Sequence, residues 1–369
     1  MKNLSIIGIG KLGLCFALTV ERSGYKVLGC DINQGYVDSI NNKVFNSDEQ
    51  GVDEYLKQSK DFTATTSLDD TINFSDVIFV VVATPSLKNG KYDHKQVASL
   101  VKNLKLLGVQ KNRKDLVICC TTMPGYCDYV QAELLEYNFK VSYNPEFIAQ
   151  GTILRDQASP DMVLIGEADV YAGDILQEIY DSHTINSPRI CRMSRKEAEI
   201  CKISLNCFLT TKIAFANMVG DIATYSDCNP DVILNAIGSD SRVGNKYLGF
   251  GYGYGGPCFP RDNRALAIYA DEIGIDALIS KASDNSNKAH LLYQVESFCV
   301  KMDKSTPIVF DYVTYKPEST MLEESQQLMF ALEVAKRGYN VLIRERSVVI
   351  EELIKRYGDI FSYQTRVED

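Results

Sequence analysis

The chain has 369 residues, of which 45% are hydrophobic and 24% charged, and its formal net charge is −9. That length predicts two or three domains, at roughly 100–200 residues each, and the balance is that of a globular protein rather than a disordered one. An acidic chain without a basic footprint disfavours nucleic acid and anionic membranes as partners and leaves small molecules. The apolar stretch Leu4–Val20 carries Lys11 and three glycines, so it predicts strand plus helix, not a membrane span or an export signal, and a cytoplasmic protein is expected. The 11 cysteines contain no Cys-x-x-Cys pair and the three histidines are scattered, so the thiols are expected to be reduced and no metal site is expected.

In chain order, the β-rich runs Leu4–Ile9, Val27–Asp31, Val77–Val82, Leu116–Cys120 and Met162–Ile165 predict buried parallel strands. Amphipathic segments at Gly10–Ser23, His94–Leu107 and Tyr126–Tyr137 predict helices between them. This alternation is the pattern of a doubly wound sheet. Residues 195–225 then carry apolar side chains at helical spacing, with no Pro or Gly before Gly220, which predicts one long helix. Further helices are predicted at 230–238 and 263–290, with an irregular Gly/Tyr-rich stretch at 244–257 between them. Beyond Thr306, strands are predicted at Ile308–Thr314 and Asn340–Arg344 around a helix at 324–338, followed by a helix at 347–357 and a short tail.

The first predicted strand runs directly into Gly8-Ile9-Gly10-Lys11-Leu12-Gly13, a Gly-x-Gly-x-x-Gly motif opening a helix. Such glycines allow a tight turn, close approach of a pyrophosphate to backbone, and close helix–strand packing. Asp31 closes the second predicted strand, where a carboxylate accepts from an adenosine ribose and repels a 2′-phosphate, so the expected cofactor is NAD rather than NADP. Farther on, Lys202 and Asn206 share one face of the long helix. Cys258 follows five glycines between Gly249 and Gly256, is flanked by Pro257 and Pro260, and precedes Arg261 and Asp262. A neighbouring cation raises the thiolate fraction, as a nucleophile needs. On local sequence alone, a turn around a buried thiol stays open as the alternative.

Together these motifs resemble the UDP-glucose/GDP-mannose dehydrogenase family, from Met1 to about Arg344. Besides the glycine motif, the resemblance is carried by Ala83-Thr84-Pro85, Thr121-Thr122-Met123-Pro124, and Asn144-Pro145-Glu146-Phe147-Ile148-Ala149-Gln150-Gly151 with Ser159-Pro160-Asp161. It continues through Lys202-x-x-x-Asn206, Gly255-Gly256-Pro257-Cys258-Phe259-Pro260-Arg261-Asp262, and Thr314-Tyr315-Lys316-Pro317 with Glu324-Ser325. It implies an N-terminal Rossmann-like doubly wound NAD-binding domain over 1–193 and a central long-helix domain for dimerisation and the catalytic cysteine over 194–295. A short Rossmann-like α/β domain for the nucleotide sugar is implied over 296–369.

The activity implied is NAD-dependent, four-electron oxidation of a nucleotide-sugar C6 alcohol to the carboxylate. Phe259, Arg261 and Asp262 after the cysteine, and Pro257 rather than His before it, resemble the UDP-glucose and GDP-mannose branches more than the N-acetylhexosamine branch, and UDP-glucose is the first expectation. GDP-mannose or another UDP-sugar is the alternative substrate. By resemblance Cys258 carries a thiohemiacetal and then a thioester, and Glu146 is the base for its hydrolysis. Lys202 and Asn206 stabilise the oxyanion, while Asp262 and Thr122 hold a water and share proton movement. Cofactor contacts are expected from Gly8, Gly10, Lys11, Leu12, Gly13, Asp31, Thr84, Thr122, Gln150 and Arg261. Substrate contacts are expected from Glu146, Phe147, Gln150, Lys202, Asn206, Tyr247, Gly255 and Lys316, with Arg242 reaching into the partner of a homodimer formed through the long helix.

Three positions depart from the family pattern: Tyr36 and Glu323 stand where it usually has a cation, and Gln150 where it has an acid. Residues 346–369 are also expected to retain little of the family's C-terminal domain. Tyr36, Glu323 and the short tail keep open a non-catalytic NAD or nucleotide-sugar binder, and the dinucleotide fold with a Lys-x-x-x-Asn pair on a central helix keeps open a two-electron hydroxyacid-type dehydrogenase, which would not need Cys258.

Overall fold

The computed structural model describes residues 2–148, 151–317 and 319–366. They form two compact units, 1–202 and 203–369. The first unit opens with β1 (Asn3–Ile7), α1 (Lys11–Arg22), β2 (Lys26–Cys30), α2 (Gln34–Asn41), α3 (Val52–Gln58), β3 (Phe62–Thr65), α4 (Leu68–Phe74) and β4 (Val77–Val80). It continues with α5 (Lys95–Leu106), β5 (Lys114–Ile118), α6 (Tyr126–Leu134), β6 (Phe139–Tyr143), α7 (Ile153–Ala158), β7 (Met162–Glu167), α8 (Val170–His183) and β8 (Arg189–Ser194).

The eight strands form one sheet in the order β3-β2-β1-β4-β5-β6-β7-β8. All neighbours are parallel except β6 and β7, which meet antiparallel at Tyr143 and Gly166. The first six strands follow the Rossmann order, with the chain reversing direction across the sheet between β1 and β4. Alternate residues feed two cores, one on each face: Ile6, Phe79 and Val117 on one, Ile7, Ile78, Val80, Leu116 and Ile118 on the other. This period of two is what makes the sheet doubly wound.

Strands β3, β6 and β8 are absent from the sequence expectations, and β5 starts two residues earlier than predicted. In β5 the reason is charge. Lys114 and Asp115 are buried mid-sheet, which sequence polarity argues against. Lys114 Nζ donates to Ile72 O (2.6 Å), Ser75 O (3.0 Å) and Asp76 Oδ1 (2.8 Å), while Arg113 pairs with Asp115. Those bonds satisfy charges that would otherwise make burial too costly. On β8, Arg192 is likewise held by Glu167 at 2.7 Å.

The second unit takes most of α9 (Arg195–Tyr225), the long helix predicted at these residues. Then follow α10 (Pro230–Ser239), α11 (Phe259–Glu272), α12 (Leu278–Lys301), β9 (Ile308–Phe310), α13 (Gln326–Lys336), β10 (Val341–Glu345), α14 (Ser347–Tyr357) and β11 (Ser362–Thr365). The helix predicted over 263–290 is two helices, α11 and α12, broken at Gly274 with φ +77°. The strand predicted to reach Thr314 ends at Phe310. The expected short tail contains β11, which pairs in parallel with β10 and completes a three-stranded sheet. That sheet packs α12, α13 and α14 around Val295, Val313, Ala331, Val334, Ile343 and Leu353. Among the described residues no helix is long and apolar enough to cross a membrane.

Candidate active site

In the first unit, five expected residues leave the carboxyl ends of five neighbouring strands: Asp31 after β2, Gly8 after β1, Thr84 after β4, Thr122 after β5 and Glu146 after β6. They lie far apart in sequence, but adjacent strands sit only about 4.8 Å apart. The sheet therefore lines them up along the rim where a doubly wound fold takes its ligands.

The glycines of the first turn divide by role. Gly8 has φ +87°, and a Cβ on it would lie 2.4 Å from Val81 O. A Cβ on Gly13 would lie 2.0 Å from Gly8 O. Gly8 therefore serves close approach to the chain leaving β4, and Gly13 close packing of α1 on the end of β1. Gly10, the N-cap of α1, meets nothing within 4 Å and caps the helix with no side chain. The N–H groups and positive dipole end of α1 are thus open to an anion. Asp31 accepts from Asn33 N at 3.1 Å, which holds it at the end of β2. Uncapped helix, open glycine and strand-end carboxylate fit the pyrophosphate and ribose of NAD. Leu12 packs on the core, and Lys11 lies 3.8 Å from the buried Glu49, which binds the N–H groups of Gly151 and Ile153.

Tyr36, standing where a cation was expected, donates its hydroxyl to Ile9 O at 2.6 Å and sets its ring edge-on to Phe45. It braces the glycine turn from behind. Thr84 donates to Thr121 O at 2.9 Å. Thr122 is fully buried and donates to Glu199 at 2.8 Å, and Glu199 also takes N–H bonds from Gly125 and Cys127. His94 accepts from Met123 N at 3.3 Å and stacks on Tyr126; burial lowers its pKa to about 4, so it is neutral. The turn Thr121–Pro124 is fixed from both sides.

Glu146, Phe147 and Lys202 come together. Lys202 Nζ donates to Glu146 O at 2.6 Å and stands 4.2 Å from the Phe147 ring centroid, a cation–π distance. Burial pushes the Glu146 carboxyl up to about 7, against the pull of the Lys202 charge and the Tyr180 hydroxyl. A carboxyl poised there can both take and return a proton at neutral pH. Gln150 lies outside the described residues.

In the second unit, Cys258 is exposed and is the N-cap of α11. Asp262, one turn later, is 1% exposed; its Oδ2 accepts from Asn206 Nδ2 at 2.6 Å and its Oδ1 from Arg261 at 3.3 Å. All eleven cysteines are thiols rather than disulfides. The loop before Cys258 is bound on its inner side. Asn287 accepts from Tyr254 N and donates to Tyr254 O, both at 2.9 Å, while Gly251 O accepts from His290 at 2.6 Å. His290 Nδ1 also reaches Asp221, at 2.8 Å, so both ring nitrogens face acceptors.

A Cβ on Gly253, Gly255 or Gly256 would strike Asn287, Glu324 or Tyr315, whereas Gly249 and Gly251 meet nothing within 4 Å. Tyr247, at φ +61°, sets its ring 6.0 Å from that of Phe259. Lys316 is exposed beside Tyr315, and Arg242 is exposed and paired with Asp240. Glu323 is exposed, while Glu324 accepts a bidentate pair from Arg264, both bonds at 2.6 Å.

Glu199, Tyr180, His94, Asn287, His290 and Arg264, the partner of Glu324, carry no motif, and sequence reasoning missed them. Their partners lie 29–77 residues away, so no local spacing marks them.

Two family models match the chain: the NAD-binding domain of the UDP-glucose/GDP-mannose dehydrogenase family over residues 2–184, and that family's central domain over 196–289. The chain is 29% identical over 356 residues to a UDP-glucose 6-dehydrogenase of Pseudomonas aeruginosa, covering 92% of this chain and 78% of that one. It is 28% identical to a GDP-mannose 6-dehydrogenase of the same organism, covering 94% and 81%. A solved UDP-glucose dehydrogenase from Pyrobaculum islandicum superposes with a TM-score of 0.88 at 27% identity, covering 100% of this chain and 86% of that one. A nucleotide-binding rim built as NAD requires, and these matches over both units, make the chain a member of the UDP-glucose/GDP-mannose dehydrogenase family, an NAD-dependent nucleotide-sugar dehydrogenase.

Proposed function

We propose that this enzyme oxidises the C6 alcohol of UDP-glucose to the carboxylate through a covalent adduct on Cys258. The observation that carries the reading is an exposed thiol at the N-terminus of a 14-residue helix, with the buried Asn206–Asp262 pair one turn inside it. A helix N-terminus favours a thiolate. When bound, NAD accepts the hydride at each of the two oxidations.

The first oxidation removes the C6 hydroxyl proton and a hydride, leaving an aldehyde; Asp262 and Thr122 serve the proton through a water. Cys258 sulfur then bonds to the aldehyde carbon, and the carbonyl electron pair becomes an oxyanion. The Lys202 ammonium and Asn206 amide stabilise it, at roughly 3–4 kcal/mol for each well-aimed donor. Loss of the second hydride from this carbon restores the carbonyl as a thioester. Glu146 takes a proton from water, the oxygen attacks, the C–S bond breaks, and Cys258 leaves as thiolate. Capture on sulfur keeps the aldehyde from escaping between oxidations.

Cofactor contacts are assigned to 1–193, the nucleophile and dimerisation to 194–295, and the nucleotide moiety to 296–369. Arg261 supports the cofactor side, while Tyr247, Gly255 and Lys316 support the sugar nucleotide. A homodimer through α9 is supported by an exposed apolar stripe on that helix: Phe208, Phe215, Met218, Ile222 and Tyr225. Arg242, its side chain 87% exposed and paired with Asp240 at 2.7 Å, is assigned to a partner's site. The thiol state of the cysteines suits the reducing cytoplasm.

The test is NADH formed per sugar over a panel of nucleotide sugars. Two NADH per UDP-glucose is the expected result. Two per GDP-mannose and none per UDP-glucose would move the substrate, and one per sugar would remove the thioester.

A further inference from the structure

Beside Glu146 lies a buried group to which the reaction above gives no part. Gln157 on α7 is 2% exposed, and among the described residues neither its Nε2 nor its Oε1 has a hydrogen-bond partner. An unbonded amide loses its bonds to water on burial with nothing in return, so buried amides are as a rule completed by a partner, protein or water. Gln157 shares a cavity of about 10 Å3 with Asn144, Glu146, Asp156 and Tyr180. That is about the room one water needs, and a water in so small a space meets every wall.

The other polar walls are engaged. Asn144 donates to Leu164 O at 2.9 Å and accepts from Tyr180 at 2.7 Å; Asp156 accepts from Thr152 and Arg155. Among the described residues the Glu146 carboxylate receives a long bond, 3.4 Å, from the Tyr180 hydroxyl. Among the described residues lining the cavity, the Gln157 amide is the group without a partner, and the Glu146 carboxylate beside it is held by one long bond.

We propose that Gln157 is a positioning residue for Glu146, holding a buried water that donates to the Glu146 carboxylate. Nε2–H donates to the water oxygen, one water O–H returns to Oε1, and the other goes to Glu146. Three bonds are what a buried water typically makes. A donor fixed on the carboxylate favours its charged form and holds its orientation, which is what a base needs before water arrives. The inference rests on Glu146 being the base for thioester hydrolysis, as proposed above.

Gln157→Met is nearly isosteric and cannot hold the water; Gln157→Asn keeps an amide. The rate of the first NADH, steady-state turnover across pH, and UDP-glucose affinity are measured for each. The Met variant is expected to keep the first NADH and the affinity, and to move the acid limb of turnover upward by about one pH unit, a tenfold loss below the limb. The Asn variant is expected to fall between it and wild type, and carries the comparison by itself if the Met variant does not fold. An unmoved limb overturns the proposal, and so does a uniform fall in binding, first NADH and turnover, which is what a packing role produces.

A crystal structure of the wild-type protein is expected to show the water against both side chains, and a dry cavity overturns the proposal. A wild type that holds the water but forms no NADH with any nucleotide sugar overturns the functional reading, and with it the role of Gln157. An unmoved limb in an enzyme making two NADH overturns only the latter.

Discussion

Each compact unit has one glycine-rich segment beside its reactive groups, and the two use glycine differently. In the first unit two of the three motif glycines are packed so tightly that a methyl group would strike backbone, and one, Gly10, opens outward at a helix end. In the second unit Gly253, Gly255 and Gly256 press against Asn287, Glu324 and Tyr315, while Gly249 and Gly251 open outward. Richness in glycine does not by itself mean ligand approach. Most of these glycines let backbone press against a neighbouring main chain or side chain, and a minority leave room for a guest.

The reactive groups differ as well. Glu146 is raised by burial and steadied by neighbours fixed on the sheet, whereas Cys258 is exposed at the end of a loop braced from its inner side. The role proposed for Glu146, a base that must be tuned, gains from burial. The role proposed for Cys258, a nucleophile that must reach a carbonyl, gains from exposure.

The sharpest break in this comparison is expected at Cys258. Cys258→Ser should leave NAD binding intact and lower the overall four-electron turnover on the order of a thousandfold or more, with product stopping at one NADH per sugar. Next come the glycines. Gly13→Ala should destabilise the fold by about 2–4 kcal/mol, read from the denaturant midpoint, because a Cβ there meets Gly8 O at 2.0 Å. Gly10→Ala should keep the midpoint to within ~1 kcal/mol and weaken NAD binding instead. Equal losses of stability in both would erase the division of roles.

The pH profile ranks third. In the role proposed for it, Glu146 works as carboxylate, so turnover should fall as pH drops through about 7, tenfold per pH unit, and level off above it. A limb near the ordinary value of 4.5 would mean that burial does not hold Glu146 as described. The smallest effect is expected from Tyr36→Phe. It keeps the ring on Phe45 and deletes the bond to Ile9 O, which is worth about 1 kcal/mol, or roughly fivefold in NAD affinity with no change in kcat.

Much of this site was legible in the sequence. The strand–glycine–helix motif, Asp31, the Glu146 block, the Lys202–Asn206 pair and the Cys258 loop are local patterns, readable because their chemistry depends on spacing along one turn or one strand. The long helix was legible for the same reason. Strand β5 was misjudged because Lys114 and Asp115 look like surface residues until Asp76, Arg113 and two carbonyls close around them. Strand β11 was missed because its burial depends on β10 lying beside it.

The sequence by itself therefore determined which atoms are available for chemistry and which cofactor the first turn accepts. Only the tertiary structure decided how those atoms are held. The sheet order brought Asp31, Gly8, Thr84, Thr122 and Glu146 to one rim. Folding also divided the glycines into packed and open, and turned the Tyr36 departure into a brace on the glycine turn. These are properties of neighbours in space, and burial and hydrogen bonding between distant residues come into being only when the chain has closed.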